Sequence, residues 1–184
     1  MIFAVLLLGT LGTFLAFLLL RGNEQYYELR GFALGTSVRI VVSSKKINPK
    51  TIAEAILEDM KRITYKFSTT DERSVVKKIN DHTGEWVEVD EETYSLIKAA
   101  YAFAELTEGA FDPTVGKLLE VWGFTGNYEN LRVPSNDEIE KALSSVGYRN
   151  ILLDDRHFRV MVKNGSKIDL GGIAKGYAWI VQDR

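Results

Sequence analysis

Cysteine is absent from the 184 residues. That removes thiol nucleophiles, disulfides, iron–sulfur clusters, cysteine-ligated zinc and any cysteine-borne lipid anchor. Histidine is scarce: His82 and His157 stand far apart without metal-ligand spacing, which argues against a histidine metal centre. A charge of one sign is missing too. Lys and Arg number 23 against 25 Asp and Glu, a formal net charge of −2, so no global field favours nucleic acid or an acidic membrane surface. Hydrophobic residues make up 46% of the chain, which excludes disorder as its general state.

Three regions follow from composition. Residues 1–21 are almost wholly apolar from Ile2 to Leu20, and at ~1.5 Å per residue such a helix is long enough to cross a bilayer core. No small-x-small cleavage pattern precedes Arg21, so an uncleaved anchor is expected rather than a removed signal. Arg21 and Arg30 after the span would by themselves keep the rest of the chain in the cytoplasm. Residues 22–30 read as a polar and aromatic linker. Residues 31–184 read as one folded domain.

Within the domain, Thr36–Ser44 is β-branched and reads as a strand. Asn48 and Pro49 open a helix whose Ile52, Ile56, Met60, Ile63 and Phe67 form one stripe. A short helix is expected near Ser74 to Asn80. Asp90 caps a helix that buries Leu96, Ile97, Ala100, Phe103 and Ala104, with Gly109 closing it. Ser135 and Glu138 form a capping box, and Ile139, Leu143 and Val146 face inward. "NILLDD", "HFRVMV" and "KIDL" read as three strands of an antiparallel meander, with Asn164-Gly165 as a hairpin turn between the last two. Helices followed by a meander predict an α+β fold, not a doubly wound sheet.

Two stretches carry candidate chemistry. In "IDLGGIAKGYA" (Ile168–Ala178), two glycines follow a strand pattern and a helix is expected from about Ala174. Helix starts attract anions, and Lys175 adds a full charge. Neither the P-loop nor the dinucleotide fingerprint is present, so local sequence alone favours a strand-to-helix turn with packing glycines over a ligand loop. In "TEGAFDPTVGK", Asp112-Pro113 fixes a turn between Gly109 and Gly116.

In order and combination these stretches resemble the ApbE family, the FAD:protein FMN transferases. The matching residues are Leu34-Gly35-Thr36, Phe67-Ser68-Thr69 with Ser74 and Ile79-Asn80, Gly109 to Gly116, Trp122-Gly123, and Asp169 to Ala178. The resemblance implies an α+β, T-fold-like domain of antiparallel strands and packed helices. It implies binding of FAD and Mg²⁺ and transfer of FMN to a threonine of a target flavoprotein, with release of AMP. It places Leu34, Ala110, Phe111, Asp112, Gly171 and Tyr177 at the nucleotide. It puts Lys175 near the pyrophosphate and the Ala174 carbonyl on the metal. Thr70 stands where the family usually carries an aromatic ring.

The resemblance also implies a domain on the outer face of the membrane, and nothing in it points to nucleic acid. The family's C-terminal portion carries a His-x-x-Asp-Pro motif and the Asp and Thr that complete the magnesium site. It has no counterpart before Arg184, so the expectation is the N-terminal part of the enzyme with impaired transfer. The other classes of reading are a non-catalytic flavin-binding remnant and a membrane-anchored interaction protein.

Overall fold

The computed structural model describes residues 25–125 and 132–181. The expected anchor at 1–21 lies outside the described residues. Among those described, no helix is long and apolar enough to cross a membrane. The chain divides into two compact units, residues 1–58 and 59–184, with the division inside one helix.

The first unit holds an antiparallel hairpin of β1 (Gln25–Ala33) and β2 (Thr36–Ser44), paired from Ala33 with Thr36 out to Gln25 with Ser44. Residues 25–30, expected as linker, are therefore strand. The alternation of exposed and covered positions along β1 is the reason: Tyr27, Leu29 and Gly31 share one face with buried Ala33. Leu34 and Gly35 form the two-residue turn, both with positive φ (53° and 71°), which suits the twist of a hairpin. Helix α1 (Pro49–Lys66) starts here, with Asn48 Oδ1 accepting the Lys50 N–H at 3.0 Å. It passes close to β1, since a methyl group on Gly31 would lie 2.7 Å from Leu57 Cδ1.

The second unit contains the rest of α1, α2 (Val75–Asp81), β3 (Val87–Glu88), α3 (Glu91–Leu106), α4 (Gly116–Val121), α5 (Asn136–Leu143), a 3₁₀ turn (Tyr148–Asn150), β4 (Ile151–Asp154), β5 (Arg159–Val162) and α6 (Gly171–Val181). The antiparallel sheet has the order β3-β5-β4. Ile63, Ile79, Ile97, Val160, Val162 and Ile168 are among its fully buried side chains. Helices and antiparallel strands make the fold α+β, as the sequence predicts.

The predicted caps are present: Asp90 caps α3, and Ser135 with Glu138 makes the capping box of α5, while Ser74 caps the short helix α2. Helix α3 ends in a Schellman motif: Gly109 N–H donates to the Ala104 carbonyl and Glu108 N–H to that of Glu105, with Glu108 left-handed at φ 53°.

Three expectations are corrected. Phe103 is 52% exposed and Leu143 47% exposed, because the covered faces of their helices run through Ala100 and Ala104, and through Ala142. "KIDL" is not a third meander strand. The Asn164-Gly165 turn forms, with positive φ at both residues, but β5 is the central strand and both its edges are taken by β3 and β4. The chain leaves the sheet, and Lys167 instead bridges in parallel to Val115. Finally, α6 begins at Gly171, earlier than Ala174, because Asp169 Oδ1 accepts the Gly171 N–H at 2.7 Å and starts the helix there.

Candidate nucleotide site

Loop 110–116 lies beside segment 167–172 through a ladder of polar contacts. Asp169 N–H donates to the Pro113 carbonyl at 2.8 Å and Gly116 N–H to the Lys167 carbonyl at 3.0 Å. A methyl group on Gly116 would sit 2.7 Å from that same carbonyl oxygen, so only glycine permits this approach. On the far side of the segment, Asn80 Oδ1 accepts the Ile168 N–H at 2.7 Å and Asn80 Nδ2 donates to the Ile168 carbonyl at 2.9 Å. The two glycines at the start of α6 are thus delivered on a strap clamped from both sides.

At the end of that strap Gly172 meets Phe111. A methyl group at Gly172 would lie 2.9 Å from Phe111 Cε2. Phe111 is half-buried, and its N–H donates to Thr107 Oγ1 at 3.1 Å. Ala110 is exposed beside it. Gly171, Gly172 and Lys175 are exposed, and their spacing within α6 puts them on one face. The structure therefore brings Ala110, Phe111, Gly171 and Lys175 to one surface.

Asp112 is bound into the scaffold. Its Oδ1 accepts from Thr114 N (2.8 Å) and Thr114 Oγ1 (2.6 Å), and its Oδ2 accepts from Tyr148 N (2.8 Å). Thr114, fully buried, accepts the Gly147 N–H on its own hydroxyl at 2.7 Å. Thr70 is exposed in a turn organised by Ser68 Oγ, which accepts the Thr70 and Asp71 N–H groups. Leu34 sits in the hairpin turn of the first unit.

Tyr177 is turned toward a charged cluster. Its hydroxyl donates to Glu92 Oε1 at 2.9 Å, and its ring meets Phe67 edge-on at 6.2 Å. Glu92 also accepts both terminal nitrogens of Arg62 (2.8 and 2.9 Å) and Lys66 Nζ (2.5 Å). Hydrogen bonds from Arg62 first, then from Lys66 and Tyr177, hold the Glu92 carboxyl down at about 2 against the desolvation that would raise it. Asn80, Thr114 and Glu92 are the organising residues that sequence reasoning did not assign. Asn80 stood within a matched motif, whereas Glu92 gave no local signal.

Ala174 is buried within α6, so its carbonyl belongs to the helical ladder. Among the described residues no group of three or more histidine, aspartate or glutamate side chains could hold a metal ion. Mg²⁺ usually keeps several waters and takes only one or two carboxylates in near-octahedral oxygen ligation.

Comparison with known proteins identifies the fold and the family. The chain is 83% identical to a crystal structure of the ApbE protein from Thermotoga maritima, with TM-score 0.84 over 86% of this chain and 51% of that one. It is 26% identical to the flavin transferase ApbE from Vibrio cholerae, with TM-score 0.77 over 87% of this chain and 52% of that one. The FAD:protein FMN transferase of Treponema pallidum is 28% identical over 168 residues, which are 85% of this chain and 45% of the relative. The chain thus spans about half the length of the relatives it matches. The family model described as ApbE family matches residues 34–180, and the chain belongs to that family.

Proposed function

We propose that this chain carries the FAD-binding part of an FAD:protein FMN transferase. The observation that carries the proposal is the seating of Phe111 against Gly172 at the start of α6, with Lys175 on the same helix face. At this helix start Asp169 holds the Gly171 N–H and the Leu170 carbonyl accepts those of Ile173 and Ala174, which leaves the positive dipole end and the Gly172 N–H to suit a pyrophosphate. Gly172 lets the Phe111 ring close on the first turn of the helix, and Lys175 adds a cation on the same exposed face. Asp112 acts by shaping the loop, since both its oxygens are engaged within the protein.

In the proposed reaction the hydroxyl oxygen of a threonine on a target flavoprotein bonds to the FMN phosphorus of FAD. The phosphorus–oxygen bond to AMP breaks, AMP leaves with the electron pair, and the threonine proton is lost from the attacking oxygen. Magnesium dependence belongs to the proposal by family resemblance. No step is assigned to the ion. The apolar residues 1–21 are proposed to anchor the domain at the outer face of the membrane. Membrane fractionation and external protease on spheroplasts test that part, and a soluble or protease-protected domain would refute it.

The central test is a fluorescence titration with FAD of the wild type, Gly172→Val and Lys175→Ala, with circular dichroism to check folding. Binding to the wild type that weakens in both variants supports the site. Unchanged affinity in two folded variants reduces the segment to a strand-to-helix turn. Incubation of the wild type with FAD, Mg²⁺ and a threonine-bearing target then reads transfer as covalent flavin fluorescence. Binding without transfer would favour a non-catalytic flavin-binding remnant.

A further inference from the structure

Helix α6 packs through buried Ala174 and Ala178 and is hydrogen-bonded at two further levels. Its first turn is set by Asp169, which accepts the Gly171 N–H and donates its own N–H to Pro113. Its second hold is the Tyr177 hydroxyl on Glu92. Tyr177 follows Gly172 by five residues, about 7.5 Å along the axis, a span over which a helix behaves as a rod. Any rotation or slide of α6 that lifted Gly172 from Phe111 would also break the bond to Glu92.

Glu92 is built to hold still. It stands in the first turn of α3, and its two partners Arg62 and Lys66 come one turn apart from α1. The side chains of Glu92 and Lys66 retain only 25% and 22% of their exposure. The cations fix the carboxylate, the carboxylate fixes the phenol, and the phenol fixes the helix.

We infer that Glu92 is a positioning residue for the candidate nucleotide site, acting through Tyr177 to set the rotation of α6 and hence the seat of Gly172 against Phe111. The inference rests on the reading of Gly171–Lys175 as the nucleotide-facing surface. It requires no contact between Glu92 and the ligand.

The test is FAD titration and thermal melting of the wild type, Glu92→Gln, Glu92→Leu, Tyr177→Phe and the Glu92→Leu/Tyr177→Phe double variant of the full chain. Glu92→Leu and Tyr177→Phe should each weaken FAD binding about tenfold, the scale of one lost hydrogen bond to a charged group. The double variant should bind no more weakly than Glu92→Leu alone, because both changes remove the same bond. Glu92→Gln keeps an acceptor for the phenol and should stay within about threefold of the wild type, although its ion pairs are lost.

A role in stability alone would lower the melting temperature of the Glu92 variants and leave every FAD affinity unchanged, which overturns the inference. Additive losses in the double variant overturn it as well. Should Glu92→Leu fail to fold, Tyr177→Phe and Glu92→Gln decide: an unchanged Tyr177→Phe, or a Gln variant that binds no better than Tyr177→Phe, rejects it. A wild type that binds no FAD rejects the nucleotide reading and the inference with it. A wild type that binds while Tyr177→Phe is unaffected rejects the inference alone.

Discussion

Asn80 holds both backbone groups of Ile168, a residue 88 positions away, in a buried two-bond clamp of 2.7 and 2.9 Å. The amide does for Ile168 what a neighbouring strand would do, and it does so where β5 has no free edge to offer. Ile168 is itself fully buried, so neither backbone group has water to fall back on. The clamp thereby fixes the last turn of chain before the glycines of α6.

Asn80→Ala should therefore cost about 2–4 kcal/mol, the scale of two buried backbone groups left without partners. Asn80→Asp should also destabilise, because it replaces the donor to the Ile168 carbonyl with a second acceptor. Urea denaturation checks both, read as a lower midpoint at unchanged slope. An Asn80→Asp variant as stable as the wild type would show that the donor half of the clamp contributes nothing.

Gly116→Ala should destabilise the fold by about 1–3 kcal/mol, the usual range for overpacking a close-packed site. The obstacle is backbone: the new methyl would lie 2.7 Å from the Lys167 carbonyl oxygen, which also accepts the Gly116 N–H. Gly35→Ala offers a contrast, since nothing lies within 4 Å of its methyl position and its penalty comes from positive φ alone. Thermal melts of the two variants separate steric from conformational cost.

Local signals were legible in the sequence wherever the physics is local. The caps at Asn48, Ser74, Asp90 and Ser135 depend on residues within a few positions, and the structure contains each of them. The segment Lys167–Leu170 has the composition of a strand, but its fate depended on the occupied edges of β5 and on an amide contributed by α2. Residues 25–30 were missed because their polar and aromatic content hides an alternation that becomes visible only once β2 pairs with it. The Leu34-Gly35 turn was the available clue. The motifs at Ala110–Asp112 and Gly171–Lys175 could be connected through family resemblance, and the structure supplies their adjacency through Phe111 and Gly172. Glu92 could not be found in this way, since its four partner bonds come from α1 and α6.

Thr114→Val should cost about 1–3 kcal/mol, because the isosteric methyl neither donates to Asp112 nor accepts from Gly147, and two part-buried polar groups each lose a partner. Thr114→Ser keeps the hydroxyl and should recover most of the loss. Denaturation midpoints measure both. If the Ser variant were as unstable as the Val variant, packing of the Thr114 methyl, which only the Ser variant loses, would contribute as much as the hydroxyl bonds.

Acid should weaken the Glu92 cluster in a defined window. The folded-state carboxyl sits at about 2, against an ordinary value of 4.5, held there by hydrogen bonds from Arg62, Lys66 and Tyr177. A depressed carboxyl contributes its stability above the unfolded value and loses it as the pH falls toward the folded one. The contribution is therefore complete above about pH 4.5 and lost progressively between there and about pH 2. Solvent reaches part of the cluster, and screening cuts the contribution to roughly 1–2 kcal/mol. Several exposed carboxylates titrate in the same range, so the wild-type curve alone does not isolate Glu92. The difference between wild type and Glu92→Gln does: it should be largest at neutral pH and shrink below about pH 4.5, as the carboxyl of the unfolded chain takes up a proton that the folded one does not. Chemical denaturation of both proteins from pH 7 to pH 3 measures this difference. A difference that stays constant across the range would mean that the ion pairs of Glu92 contribute no net stability.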